Sequence, residues 1–189
     1  MKSSLTYYQG IGYGIINKTL REENINDDFL KKNYKKDDIL SHIYNIQKAI
    51  EESGRQKSIT LFRGITAIDF DIHHTFNEKG FSSCTTDIDI ATKNYSNDGC
   101  CTLSFILPTN IDAYIYKYKG KYTEDEYILR RNIEYFNIEY IKTYNGVKIY
   151  SCNIRPYKLP SEIQEINYEK TRTELIKKLL EEDDSDFEY

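Results

Sequence analysis

Tyr122-Thr-Glu124-Asp-Glu126-Tyr-Ile-Leu-Arg130-Arg131 is the stretch on which the reading of this chain turns. Two carboxylates stand two residues apart at the mouth of an apolar run. If Glu126 opens a strand, side chains alternate faces, so Glu124 and Glu126 point the same way. Acids on one face repel, and each raises the cost of ionising the other. A solvated acidic loop tolerates such a pair. So does a site in which a cation or a cationic transition state lies between the two, and this stretch alone leaves both readings open.

Two upstream segments bear on the choice. Ser58-Ile-Thr-Leu-Phe62-Arg63-Gly64 puts an arginine at the end of an apolar run with the character of a buried strand. Lys79-Gly80-Phe81-Ser82-Ser83-Cys84-Thr85-Thr86 is a glycine followed by small hydroxyl residues, and Asp87-Ile-Asp-Ile-Ala91 then reads as a capped helix start. Nearer the N-terminus, Tyr8, Tyr13 and Asn17 are spaced Tyr-x4-Tyr-x3-Asn in a segment that continues to Leu20-Arg21.

Arginine, then serine, then Glu-x-Glu, with these neighbours and this opening helix, resembles the Arg–Ser–Glu class of mono-ADP-ribosyltransferases. That class includes the clostridial binary actin-modifying toxins, related insecticidal toxins and vertebrate ecto-enzymes. The resemblance spans roughly residues 5–158. Two departures stand out. The Ser-Thr-Ser element of the class reads Ser83-Cys84-Thr85 here, and the proline usual after the third strand's aliphatics is replaced, giving Leu129-Arg130-Arg131.

The resemblance implies an α+β fold: N-terminal helices, then a mainly antiparallel two-sheet β core, then a C-terminal helix. It implies NAD as a substrate, no metal, and transfer of ADP-ribose to a target protein carrying an acceptor arginine, actin being one possibility. By the same resemblance Arg63, Ser83, Glu124 and Glu126 are the catalytic set. Tyr8, Tyr13, Asn17, Arg63, Gly64, Ser83 and Thr85 would hold NAD, and Tyr122 with Glu124 would meet the acceptor.

The chemistry suits those residue types. Cleaving NAD releases a neutral nicotinamide, so the group that needs help is the ribose, on which positive charge develops. A fixed carboxylate supplies that help, and the resemblance gives the role to Glu126; Asp125 points to the other face. Arginine's planar fork fits phosphate oxygens better than lysine does. The Ser83 hydroxyl both donates and accepts, enough to orient Glu126. Cys84, alternating with Ser83, is expected to point into the core. Glu124 can pair bidentately with a guanidinium and favour its attack.

Three other functions compete with this one. Water could take the ribosyl group, giving an NAD glycohydrolase on the same fold. A degenerate fold could serve as a binding module, against which the joint presence of Arg63, Ser83, Glu124 and Glu126 speaks. A nucleic acid could be the acceptor, but a net charge of −4 disfavours that reading.

The 189 residues suit one catalytic domain over 1–160, divided into a helical lobe (1–57) and a β core (58–160). A helix over 161–180 and an acidic tail over 181–189, expected to be disordered, complete the chain. Ile39, Ile43, Ile46 and Ile50 recur at helical period, and Ser53-Gly54 ends that helix. Strands are expected over 58–64, 80–85, 101–107, 111–118, 126–131, 133–143 and 146–157. No glycine-rich phosphate loop of a dinucleotide-binding βαβ unit appears.

The four cysteines have no zinc-like spacing and are expected to be free, mostly buried thiols in a reducing compartment. His42, His73 and His74 offer no metal set. No run reaches the roughly 20 apolar residues of a membrane span, and no secretory signal is visible. The expected setting is the cytosol, or a host's cytosol for a delivered effector or viral protein.

Overall fold

The computed structural model describes residues 2–21, 36–66, 75–93, 100–117 and 125–157. Tyr122, Glu124, His73, His74, the expected helix over 161–180 and the acidic tail over 181–189 lie outside the described residues.

The N-terminal lobe is helical. α1 (Lys2–Tyr7) widens into a π-helical turn (Tyr8–Gly12) and resumes as α2 (Tyr13–Leu20). The irregularity sits at Gly10, whose backbone leaves the helical region. α3 (Lys36–Ser53) buries Ile39, Ile43, Ile46 and Ile50, the four residues of its apolar stripe, and packs on α1 and α2. Gly54 closes it at φ +66°, a conformation that costs glycine little, with its N–H bonded to the Ile50 carbonyl at 3.1 Å.

From residue 60 the described residues form eight strands in two sheets. The larger has the order β1 (Thr60–Thr66), β4 (Cys100–Ile106), β8 (Val147–Pro156), β7 (Ile133–Tyr144), β2 (Phe76–Glu78). The smaller has the order β3 (Ser82–Cys84), β6 (Asp125–Leu129), β5 (Ala113–Lys117). All pairings are antiparallel except β4 with β8, where Cys101 faces Lys148 and Ser104 faces Ser151. β7 and β8 turn at Asn145-Gly146, both at positive φ, the geometry that matches a hairpin's twist.

The α+β, two-sheet architecture expected from the sequence is the one observed, with shorter elements in places. β3 covers 82–84 rather than 80–85, β5 covers 113–117 rather than 111–118, and β6 covers 125–129 rather than 126–131. Asp125, not Glu126, opens β6. At its other end Leu129 is the last paired residue; Asn132 at φ 58° turns the chain into β7. A short helix α4 (Ile88–Lys93) follows β3. The Asp87 carboxylate accepts the Asp89 N–H at 2.8 Å, the capping expected there.

The core lies between the sheets. Leu61, Ile65, Leu103, Phe105, Tyr135, Ile138, Cys152 and Ile154 from the larger sheet meet Cys84, Ala113, Tyr127 and Leu129 from the smaller. Residues of β6 on the opposite parity, Glu126 and Ile128, therefore face away from this core. β5 also packs against α3, so the helical lobe covers that outer face.

All four cysteines are free; Cys84, Cys101 and Cys152 are buried and Cys100 is half-buried. Burial pushes the Cys84 and Cys152 thiols up to about 12 and Cys101 up to about 11. A thiol-specific reagent at pH 8 is therefore expected to modify Cys100 alone in the folded protein, and all four only after unfolding. Rapid reaction of two or more native thiols would contradict this packing.

Candidate active site

β1 is an edge strand of the larger sheet, and the end of β3 meets its outer edge. The Phe62 N–H bonds to the Thr85 carbonyl at 2.8 Å and the Thr85 N–H to the Phe62 carbonyl at 2.9 Å. Peptide groups alternate along a strand, so Gly64, two residues on, presents its N–H and C=O to that same edge, beyond the junction. An open cleft lies here, about 530 Å³ with the solvent at its mouth included. Tyr13, Asn17 and Arg21 line it from α2 and its end, Arg63 and Gly64 from β1, and Glu78, Phe81 and Ser83 from the β2–β3 segment.

Arg63 shares the parity of Leu61 and Ile65, so its guanidinium enters the space between the sheets. Glu78, only 1% exposed, meets it there. Arg63 Nη2 donates to Glu78 Oε2 at 2.6 Å. Arg21 donates Nη2 to Oε2 at 2.8 Å and Nε to Oε1 at 2.9 Å, and the Gly80 N–H donates to Oε1 at 2.8 Å. Burial alone would push the Glu78 carboxyl up. Arg63, then Arg21 and the Gly80 N–H, more than offset it and hold Glu78 below its ordinary range. Burial likewise opposes charge on Arg63, but the neighbouring Tyr135 and Glu78 groups outweigh it, so its pKa lies above the ordinary value. Arg63 Nε is buried without a hydrogen-bond partner among the described residues.

α2 is locked onto the β3 entry by one side chain. Asn17 accepts the Phe81 N–H on Oδ1 at 2.9 Å and donates Nδ2 to the Phe81 carbonyl at 3.2 Å, as a neighbouring strand would. The same Nδ2 lies 3.2 Å from the Tyr8 hydroxyl, which donates to the Phe81 carbonyl. This approach requires glycine at position 80, where a Cβ would stand 2.7 Å from Asn17 Oδ1.

The register of the small sheet fixes how Ser83 and Glu126 relate. Ser83 pairs with Ile128, so both lie on one face, and Glu126, two residues before Ile128, lies on it as well. Ser83 and Glu126 are thus diagonal neighbours on the face turned to the helical lobe. Ser83 also lies beside the Tyr8 hydroxyl, whose pKa it lowers against the effect of burial. Gln9 Nε2 donates to Glu126 Oε2 from the π turn.

The other residues singled out from the sequence are placed as follows. Tyr8 is buried, and burial pushes its hydroxyl up; it is not part of the cleft lining. Tyr13 is 49% exposed at the cleft mouth and packs edge-on to Tyr8. Thr85 is buried, and its Oγ1 accepts the Asp87 N–H at 2.8 Å. Cys84 lies in the core, as alternation with Ser83 requires. Glu126 stands beside the cleft, outside its lining.

Sequence reasoning missed Glu78 and Gln9. Glu78 could have been found by counting at strand period from Phe76, which puts the acid on the inward face. For Gln9 no signal existed, since its contact depends on the irregular turn.

With this geometry in place, similarity to known proteins can be stated. The family profile of the ADP-ribosyltransferase exoenzymes matches residues 1–99, just over half of the chain, and the chain belongs to that family. The match takes in the helical lobe, β1 and β3; β6 with Glu126 lies beyond it. No curated protein matches the chain.

Among solved structures, an ADP-ribosylating toxin component of a C. perfringens binary enterotoxin, crystallised with NADH, is 20% identical, with a TM-score of 0.63 over 81% of this chain and 42% of its own. The enzymatic component of the C2 toxin of Clostridium botulinum is 15% identical, with a TM-score of 0.60 over 84% of this chain and 43% of its own. C3larvin, an ADP-ribosyltransferase from Paenibacillus larvae, is 16% identical, with a TM-score of 0.54 over 82% of this chain and 86% of its own. At these identities the likeness is one of fold. The chain spans less than half the length of the two binary-toxin components.

The Glu78 cluster yields a stability prediction. Glu78→Gln leaves the Arg63 guanidinium buried without its carboxylate and is expected to cost about 3–5 kcal/mol in urea unfolding. Because Glu78 is held low in the folded protein, its contribution is present above the unfolded value of about 4.3 and fades as pH falls through the folded one. The stability gap between wild type and Glu78→Gln should therefore narrow below about pH 4. A gap independent of pH would show that Glu78 does not act as a buried carboxylate.

Proposed function

We propose that the chain transfers ADP-ribose from NAD to an arginine side chain of a target protein and releases nicotinamide. The observation that supports this best is one arrangement. Arg63, Gly64 and Ser83 line one cleft at the open edge of β1, and Glu126 stands diagonal to Ser83 on the same face of the small sheet.

The chain's own residues fit the substrate. Arg63 and Arg21 both line the cleft, and a planar guanidinium fork suits the oxygens of a pyrophosphate. The Gly64 N–H and C=O match the two halves of a carboxamide, so nicotinamide would pair with them at the strand edge. Tyr13 would lie against the adenosine side, beside Asn17.

In the reaction the bond between ribose C1′ and the nicotinamide nitrogen breaks, its electron pair leaving with the neutral base. Glu126 faces the positive charge that develops on the ribose, held by preorganised neighbours rather than recruited when the bond breaks. Ser83, diagonal to it, orients it. A guanidino nitrogen of the acceptor, paired with Glu124, then attacks C1′ and gives up a proton to that carboxylate as the new N–C bond forms. Tyr122 would contact the acceptor.

Glu126→Gln preserves shape and removes charge. Transfer and hydrolysis should both fall by roughly 10²–10³ while NAD affinity, measured by calorimetry, stays near wild type. Undiminished turnover would take Glu126 out of the mechanism.

Glu124→Gln separates the acceptor from the donor. Labelling of protein by biotinylated NAD should be lost while nicotinamide release continues, because water needs no carboxylate to hold it. Mass spectrometry of the wild-type product should place the label on arginine. Release of nicotinamide with no protein labelled in any lysate would favour the glycohydrolase instead.

A further inference from the structure

The helical lobe is interrupted at one place only among its described residues, and that place faces the small sheet. Between Tyr8 and Gly12 the backbone opens into a π turn, with Gly10 at φ −88°, ψ −108°. A Cβ at Gly12 would collide with the ring of Tyr7, which closes over the turn. Such turns give up regular hydrogen bonding and recur at functional positions. Here the turn sets two consecutive side chains against the sheet. Tyr8 reaches the Phe81 carbonyl and Ser83, and Gln9 reaches Glu126, 117 residues away in the chain.

We propose that Gln9 is a positioning residue for Glu126, its side-chain amide fixing one carboxylate oxygen in the orientation that faces the reacting ribose. This rests on the reading of Glu126 given above. A glutamate at the mouth of a strand has three torsions to freeze, and each alternative rotamer turns its charge away from the ribose. An amide suits the task in a way a lysine or arginine does not. It donates a hydrogen bond without bringing a positive charge, so the negative field that the reaction needs is kept.

The titratable groups around Glu126 among the described residues are Tyr8 on the turn, Cys84 on β3, Tyr116 opposite it on β5, and Asp125 and Tyr127 beside it on β6. Tyr8 and Cys84 are pushed up by burial and stay neutral where carboxylates titrate. An acid introduced at position 9 would therefore couple directly to Glu126.

The test uses Gln9→Met, Gln9→Glu and Glu126→Gln in the full chain, with nicotinamide release, KM for NAD and thermal melting measured for each. Gln9→Met keeps length and loses the donor. It should lower kcat by about 10–100-fold, the weight of one hydrogen bond to a charged group, with KM for NAD and the melting temperature near wild type. Gln9→Glu should move the acid limb of the pH–kcat profile upward, because two adjacent carboxylates share a proton. Wild-type kcat in Gln9→Met together with an inactive Glu126→Gln would overturn the proposal and leave the role of Glu126 standing. So would a loss in Gln9→Met that tracks a lowered melting temperature, with no shift of the acid limb in Gln9→Glu. Full activity in Glu126→Gln would remove the reading on which the proposal rests, and the proposal with it.

Discussion

Glu78 is one carboxylate with four hydrogen bonds, and the geometry of the cleft depends on it. Its partners come from the end of α2, the middle of β1 and the entry to β3, so a single side chain ties three separate segments to one point. An arginine buried as Arg63 is could not stay between the sheets without a counter-charge, because desolvating a lone guanidinium costs several kcal/mol. The cluster is thus the structural pin of the cleft wall.

Around this pin the two sheets divide the work. The larger sheet gives an edge strand whose outer peptide groups run past the end of β3, so backbone rather than side chains is available at Gly64. The smaller sheet gives a face on which Ser83 and Glu126 sit at a fixed diagonal spacing. Neither sheet holds the arrangement alone; the Phe62–Thr85 hydrogen bonds join them, and Asn17 joins the helical lobe to both by standing in for a strand at Phe81.

Much of this was legible in the sequence, and the parts that were not have physical reasons. The isoleucine stripe of α3 and the alternation of β7 are periodic signals that burial enforces, so they read cleanly. Arg63, Ser83 and Glu126 announced themselves by residue type and by neighbours that resemble a known class. Glu78 did not, because a lone acid after Phe76-Asn77 looks like any solvated residue until two arginines from distant segments are placed against it. Thr85 shows the converse: alternation put it on the Ser83 face, but its hydroxyl is taken up by the Asp87 N–H, a local turn that period-two reasoning does not see. Gln9 needed the irregular turn at Gly10, and propensity registers only that glycine weakens a helix there, not which side chain the break redirects.

The one parallel pairing in the larger sheet governs how the molecule comes together. β8 lies between β4 and β7, so without it the sheet parts into β1 with β4 and β7 with β2. The chain between β4 and β8 leaves the larger sheet to build β5 and β6 of the smaller one before it returns. Closing that excursion costs loop entropy before the parallel contacts repay it, which slows such pairings. On a ribosome, β1 and β3 emerge early and the strand bearing Glu126 later, yet the sheet that supports them all stays divided until β8 is made. The site is therefore framed only once β8 has been made, and a chain cut short before it carries the parts of the cleft without the frame that aligns them.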